Sequence, residues 1–119
     1  MSVSKEVSSD GKKVQINIVG RFDYKVSQEF RDSYRQVPGQ NSMSYYVDLS
    51  DASYMDSSAL GMLLLLREHA KSRGGSVYIE RPSKQIDNIL KVANFEQLFT
   101  FHYADSASSV AGGDSGVER

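Results

Sequence analysis

Cysteine is absent from this chain, which excludes disulfides, thiolate nucleophiles and cysteine-bound metal. No apolar run approaches the roughly 18 residues that a membrane-crossing helix needs. The opening residues hold no basic segment leading into an apolar stretch, so a secretory leader is not expected. A surplus of basic charge is also missing. Lys and Arg number 14 against 15 Asp and Glu, and they are scattered, leaving no continuous footprint for nucleic acid. These absences predict a soluble cytoplasmic protein with no membrane and no nucleic-acid partner. At 119 residues, one domain with one modest core fits.

Enzyme chemistry is short of parts as well. The chain has two histidines, His69 and His102. Neither belongs to a cluster suited to a metal, and there is no glycine-rich phosphate loop of the Walker type. Gly74-Gly75 reads as a helix stop before a strand. No internal repeat is visible.

What is present alternates between two periods. Val3–Ser8 and Lys13–Val19 read as strands, with Val14, Ile16 and Ile18 on one face and Ser9-Asp10-Gly11 as a tight turn between them. Val26, Phe30, Tyr34 and Val37 recur at helical spacing and stop before Pro38-Gly39. Tyr45, Val47 and Leu49 mark a short strand, and helix formers run from Ser57 to Gly74-Gly75. Val77 and Ile79 mark another strand. Pro82-Ser83 opens a helix with a stripe of Ile86, Ile89, Leu90 and Ala93, and Thr100–Tyr103 is a last strand. The predicted class is α/β, in the order β-β-α-β-α-β-α-β: a mixed sheet of about five strands covered by helices. Residues 1–104 are expected to form the domain. Residues 105–119, small and polar, are expected to be a disordered tail.

The segment Ser50–Ala70 concentrates the functional signal. Asp56, Ser57 and Ser58 stand at the entrance of an apolar helix, where side-chain oxygens accept the unpaired N–H groups of the first turn. Capping alone would explain them. At about 100° per residue, Ala59, Met62, Leu63, Leu66 and Ala70 gather on one side and Ser57, Gly61, Leu64, Glu68 and Lys71 on the other, flanked by Leu60 and Leu65. The run Met62–Leu66 is too apolar all round for a helix with a solvated back, so loops or a partner protein must cover the surplus leucines. A hydrolase reading of the serines lacks a base: His69 lies about 18 Å along the same helix from Ser57.

Here the chain resembles the STAS domain, and within that family the stand-alone bacterial anti-sigma factor antagonists. Their mark, a strand followed by Asp-Ser-Ser/Thr-Gly-Leu-Gly, is matched by Met55-Asp56-Ser57-Ser58-Ala59-Leu60-Gly61, with Ala59 in place of the usual glycine. The likeness takes in Val19-Gly20-Arg21-Phe22-Asp23, Asp48-Leu49-Ser50, Arg73-Gly74-Gly75 and Leu90–Phe95, and covers about residues 3–104. It implies a STAS fold with helices mainly on one face, no catalytic residues, no metal and no cofactor. It also implies a phosphorylation switch. The unmodified protein binds an anti-sigma factor, usually a GHKL-type serine kinase, which phosphorylates the first serine, Ser57, and a PP2C-type serine phosphatase reverses this. Asp23, Asp56, Ser58, Leu60, Gly61 and Leu64 are the expected partner-binding residues. An N-cap or turn role for Asp23 stays equally open. The free protein is expected to be a monomer. The alternative expectation is a constitutive STAS scaffold or accessory subunit of a larger assembly, with Ser57 never modified.

Overall fold

A computed structural model describes residues 3–37 and 42–103. The expected tail and Pro38-Gly39 lie outside the described residues. The chain forms β1 (Val3–Val7), β2 (Lys13–Phe22), a 3-10 turn (Tyr24–Val26), α1 (Ser27–Arg35), β3 (Ser44–Met55), α2 (Ser57–Ser72), β4 (Ser76–Glu80), α3 (Lys84–Val92), a second 3-10 turn (Phe95–Gln97) and β5 (Thr100–His102).

The five strands make one mixed sheet in the order β1-β2-β3-β4-β5. β1 and β2 are the predicted antiparallel hairpin, with Val3 opposite Ile18 and Val7 opposite Val14. Its turn is closed by Ser8 and Asp10 side chains, and Gly11 takes the positive φ that the reversal requires. β2, β3, β4 and β5 then run parallel, each pair joined through a helix or turn.

Alternation decides the two faces of the sheet. Val14, Ile16 and Ile18 of β2, Tyr45, Val47 and Leu49 of β3, and Val77 and Ile79 of β4 are buried in a single core. Phe30 and Tyr34 from α1, Leu63 and Leu66 from α2, and Ile86 and Leu90 from α3 complete that core. The opposite face carries Gln15, Tyr46, Tyr78 and Glu80, all half-buried, with Tyr46 stacked on Tyr78 and Tyr78 on His102. Among the described residues, no helix is long and apolar enough to cross a membrane.

β3 differs from expectation. Rather than a short strand followed by a loop, it continues to Met55, and Asp56 alone separates it from α2. Ser50–Tyr54 lacks apolar alternation because main-chain pairing holds it: β2 likewise runs on to Phe22, and Ala52 lies beside Gly20 and Met55 beside Phe22. Two register irregularities, at Asn17/Val19 and Gly20/Arg21, accommodate the extension. At the other end of α2, Gly74 adopts φ 71° as the helix stops. A Cβ on Gly75 would lie 2.2 Å from the Met43 carbonyl oxygen, so only glycine lets the chain re-enter the sheet there.

Candidate functional site

β2 and β3 are parallel neighbours, so their carboxyl ends lie side by side, and each ends in an apolar residue followed by aspartate. Phe22 and Met55 are register partners; Asp23 and Asp56 follow them. Both aspartates cap the turn that comes next. Asp23 accepts the Lys25 N–H at 3.1 Å and Asp56 accepts the Ala59 N–H at 3.1 Å. For Asp23 the N-cap role is seen in its bond with Lys25, which leaves the partner-binding role open. Asp23 is buried, and its second oxygen pairs with Arg21 Nε at 3.3 Å. Arg21 in turn lies over the Tyr54 ring, 4.0 Å from its centroid.

The two serines differ sharply. Ser57 opens α2, is exposed, and its hydroxyl has no hydrogen-bond partner among the described residues. Ser58 is half-buried, and its hydroxyl donates to Asp56 Oδ1 at 2.6 Å. That bond, assisted by the Ala59 N–H, holds the Asp56 carboxyl below its ordinary value despite the opposing effect of desolvation, so it is ionised at neutral pH. An ionised N-cap beside free N–H groups is favourable at the positive end of the helix dipole.

Along α2 the helical-face assignment agrees with burial. Ala59, Met62, Leu63, Leu66 and Ala70 are the buried residues of this helix. Ala59 is fully enclosed, so its methyl fills core space at the position where the motif usually has glycine. Leu60 lies at the border of the two sides. It is half-buried and packed on the core, one i,i+3 step from enclosed Leu63, and offers only an edge to solvent. Leu64 and Leu65 do face outward, at 38% and 59% exposure. Between them and Ser57 sits Gly61, where a Cβ would meet nothing within 4 Å.

Two features escaped the sequence reading. Tyr24, directly after Asp23, is 67% exposed, and the Arg21–Tyr54 pair lies at the same carboxyl end of the sheet. The doubled pattern of apolar residue, aspartate and helix start would have flagged Tyr24. The arginine–tyrosine pair depends on the register of extended β3, which the residues alone do not reveal.

Neither histidine is near this end. His69 packs between Tyr34 and Tyr45, with ring centroids 4.8 and 6.0 Å away, and its Nδ1 contacts Arg73 Nη1 at 3.3 Å. His102 stacks on Tyr78 on the uncovered face of the sheet. The arrangement at the head of α2 therefore offers a hydroxyl, a capped helix end and apolar side chains, with no imidazole to act on that hydroxyl.

Comparison with known proteins follows the same lines. The family model described as "Mlab, STAS domain" matches residues 6–100. A STAS-domain containing protein of Pseudomonas aeruginosa (strain UCBPP-PA14) is 46% identical over 99 residues, 83% of this chain and 97% of its own length. The anti-sigma-B factor antagonist of Bacillus subtilis (strain 168) is 24% identical over 98 residues, 82% of this chain and 89% of its own. Among solved structures, the anti-sigma factor antagonist SpoIIAA in its unphosphorylated form superposes with a TM-score of 0.69 at 20% identity, covering 87% of this chain and 90% of that one.

Proposed function

Because the chain belongs to the STAS domain family, we propose that it is an anti-sigma factor antagonist that works by partner switching. The unmodified form binds an anti-sigma factor that is also a GHKL-type serine kinase. Phosphorylation of Ser57 releases it, and a PP2C-type serine phosphatase restores binding. The relative named an anti-sigma-B factor antagonist supports the partner class. The observation that carries the switch is local: Ser57 is exposed and, among the described residues, has no hydrogen-bond partner for its hydroxyl at the head of α2, two turns from outward-facing Leu64 and Leu65.

The chemistry follows from that placement. A phosphate on Ser57 adds about −1.5 to −2 charge at neutral pH. The helix end accommodates it within the free protein, since first-turn N–H groups and the dipole favour an anion. A docked partner changes the balance. A dianion beside ionised Asp56, at an interface built from leucines, must be desolvated or paired, and binding suffers where the fold does not.

A substitution pair tests this. Ser57→Ala should hold the partner permanently. Ser57→Glu should lower affinity by about two orders of magnitude, the equivalent of a few kcal/mol, while its thermal midpoint stays within a degree or two of wild type. Titration calorimetry against the host's anti-sigma factor, alongside thermal melts, reads both. Equal affinity for the two variants would overturn the switch and leave a constitutive scaffold as the better description.

A further inference from the structure

Two hydroxyls stand next to each other at the head of α2, and neither is enclosed: Ser57 is exposed and Ser58 half-buried. Their environments are unequal. Ser58 Oγ is tied to Asp56 Oδ1 at 2.6 Å, and the same oxygen accepts the Ala59 N–H at 3.1 Å, so the carboxylate is anchored to the helix end while it holds the serine. Ser57 Oγ has no such partner among the described residues, and its side chain is the more exposed of the two. Resting on the proposed function, we infer that Asp56 is the specificity-determining residue of the modification: it takes Ser58 out of competition and leaves Ser57 as the single acceptor.

Phosphoryl transfer from ATP forms an Oγ–P bond, breaks the bond between the γ-phosphorus and its bridging oxygen, releases ADP, and passes the hydroxyl proton to the kinase or to solvent. An attacking oxygen must turn a lone pair in line with the leaving group. Ser57 is free to do so. Ser58 keeps its lone pairs, but a short, charge-assisted hydrogen bond holds its half-buried Oγ in one rotamer, so the γ-phosphate has to reach it along that single direction. The product is disfavoured as well, because a phosphate on Ser58 would place a dianion against an ionised carboxylate at contact distance. An aspartate carboxyl is ionised at neutral pH without help from the Ser58 hydroxyl, so the repulsion is present there.

The opposite effect, in which Asp56 acts as a base and activates Ser58, makes a distinct prediction: Ser58 would be the residue modified in the wild type. Four chains separate the possibilities when expressed in the native host and mapped by intact mass and peptide fragmentation. These are wild type, Ser57→Ala, Ser57→Ala with Asp56→Gly, and Ser57→Ala with Asp56→Asn. Glycine and asparagine are both tolerated at an N-cap, and a thermal melt of each chain verifies folding.

The expected pattern is one phosphate on Ser57 in the wild type, none on Ser57→Ala, and phosphate on Ser58 once Asp56 is glycine. The gain should be about tenfold or more, the discrimination that one charge-assisted hydrogen bond supplies, with a smaller gain for asparagine. Equal Ser58 modification with Asp56 intact, or none with Asp56 removed, overturns the assignment to Asp56 while leaving the Ser57 switch standing. A wild type that carries no phosphate on either serine under any growth condition overturns the switch and the selector together.

Discussion

At the scale of single residues, Gly61 is the position whose identity the fold does not explain. Its φ is not positive, a Cβ there would meet nothing within 4 Å, and mid-helix glycine costs about 0.5–1 kcal/mol relative to alanine. On the proposed function the explanation lies outside the chain: a bare patch between Ser57 and Leu64/Leu65 would let a partner approach closely. Gly61→Ala should therefore raise stability by about 0.5–1 kcal/mol in a urea titration and weaken partner binding at least several-fold in the same preparation. A loss of stability would assign the glycine to the fold instead, and partner binding that holds or improves would remove it from the interface. Gly75 supplies the contrast, since there the Met43 carbonyl forbids any side chain. Composition alone does not distinguish the two glycines, whereas their surroundings do.

At the scale of elements, the legible parts were those in which burial writes a period into the residues. The stripe Ala59, Met62, Leu63, Leu66 and Ala70 was readable because only one side of α2 is enclosed, and the β1–β2 hairpin because Ser-Asp-Gly sits between alternating strands. The distal part of β3 was not readable. Its order comes from main-chain pairing with β2, which constrains side chains weakly and leaves no apolar alternation. The candidate site shows the same division. Asp56, Ser57 and Ser58 were legible as a helix entrance, while the unequal bonding of the two serines and the half-burial of Leu60 required coordinates. Helix α3 offers an element-level test, since Ser83 Oγ accepts the Ile86 N–H at 3.2 Å. Ser83→Ala should cost about 1 kcal/mol of stability. Because α3 does not carry Ser57, Ser57 should be phosphorylated to the wild-type extent in the native host, read by intact mass.

At the scale of the whole molecule, pH acts on stability through two windows. Burial, followed by the nearby Arg73 and Arg35 charges, holds His69 below its ordinary value of 6.5. The unfolded chain therefore takes up that proton first. The contribution of neutral His69 is fully present above about pH 6.5 and is lost as pH falls through its depressed folded value. The carboxyls form the second window. Asp48 is raised by burial but lowered further by hydrogen bonds from Ser50 and Arg81, and Asp56 is lowered by Ser58. Their contribution is present above the unfolded value near 3.8 and is lost as pH falls below it. Thermal midpoints recorded from pH 8 to pH 3 should show a shallow decline below neutrality and a steeper one in acid. His69→Gln should flatten the first and leave the second, and an unchanged first decline would remove His69 as its source.

The overhang of β3 has a practical consequence. Pairing with β4 ends at Asp48, whereas pairing with β2 continues to Met55, so residues 49–55 have a strand neighbour on one edge alone, at the end where Ser57 begins its helix. Apart from Ser50, whose N–H is held by Asp48 Oδ1 at 2.9 Å, amides of the exposed residues on this overhang that point away from β2 should exchange with deuterium in the free protein, and a partner seated at Ser57 would shade them. Their exchange rates would then serve as a built-in, label-free gauge of occupancy, falling if the partner docks there and, on the proposed switch, recovering once Ser57 is phosphorylated.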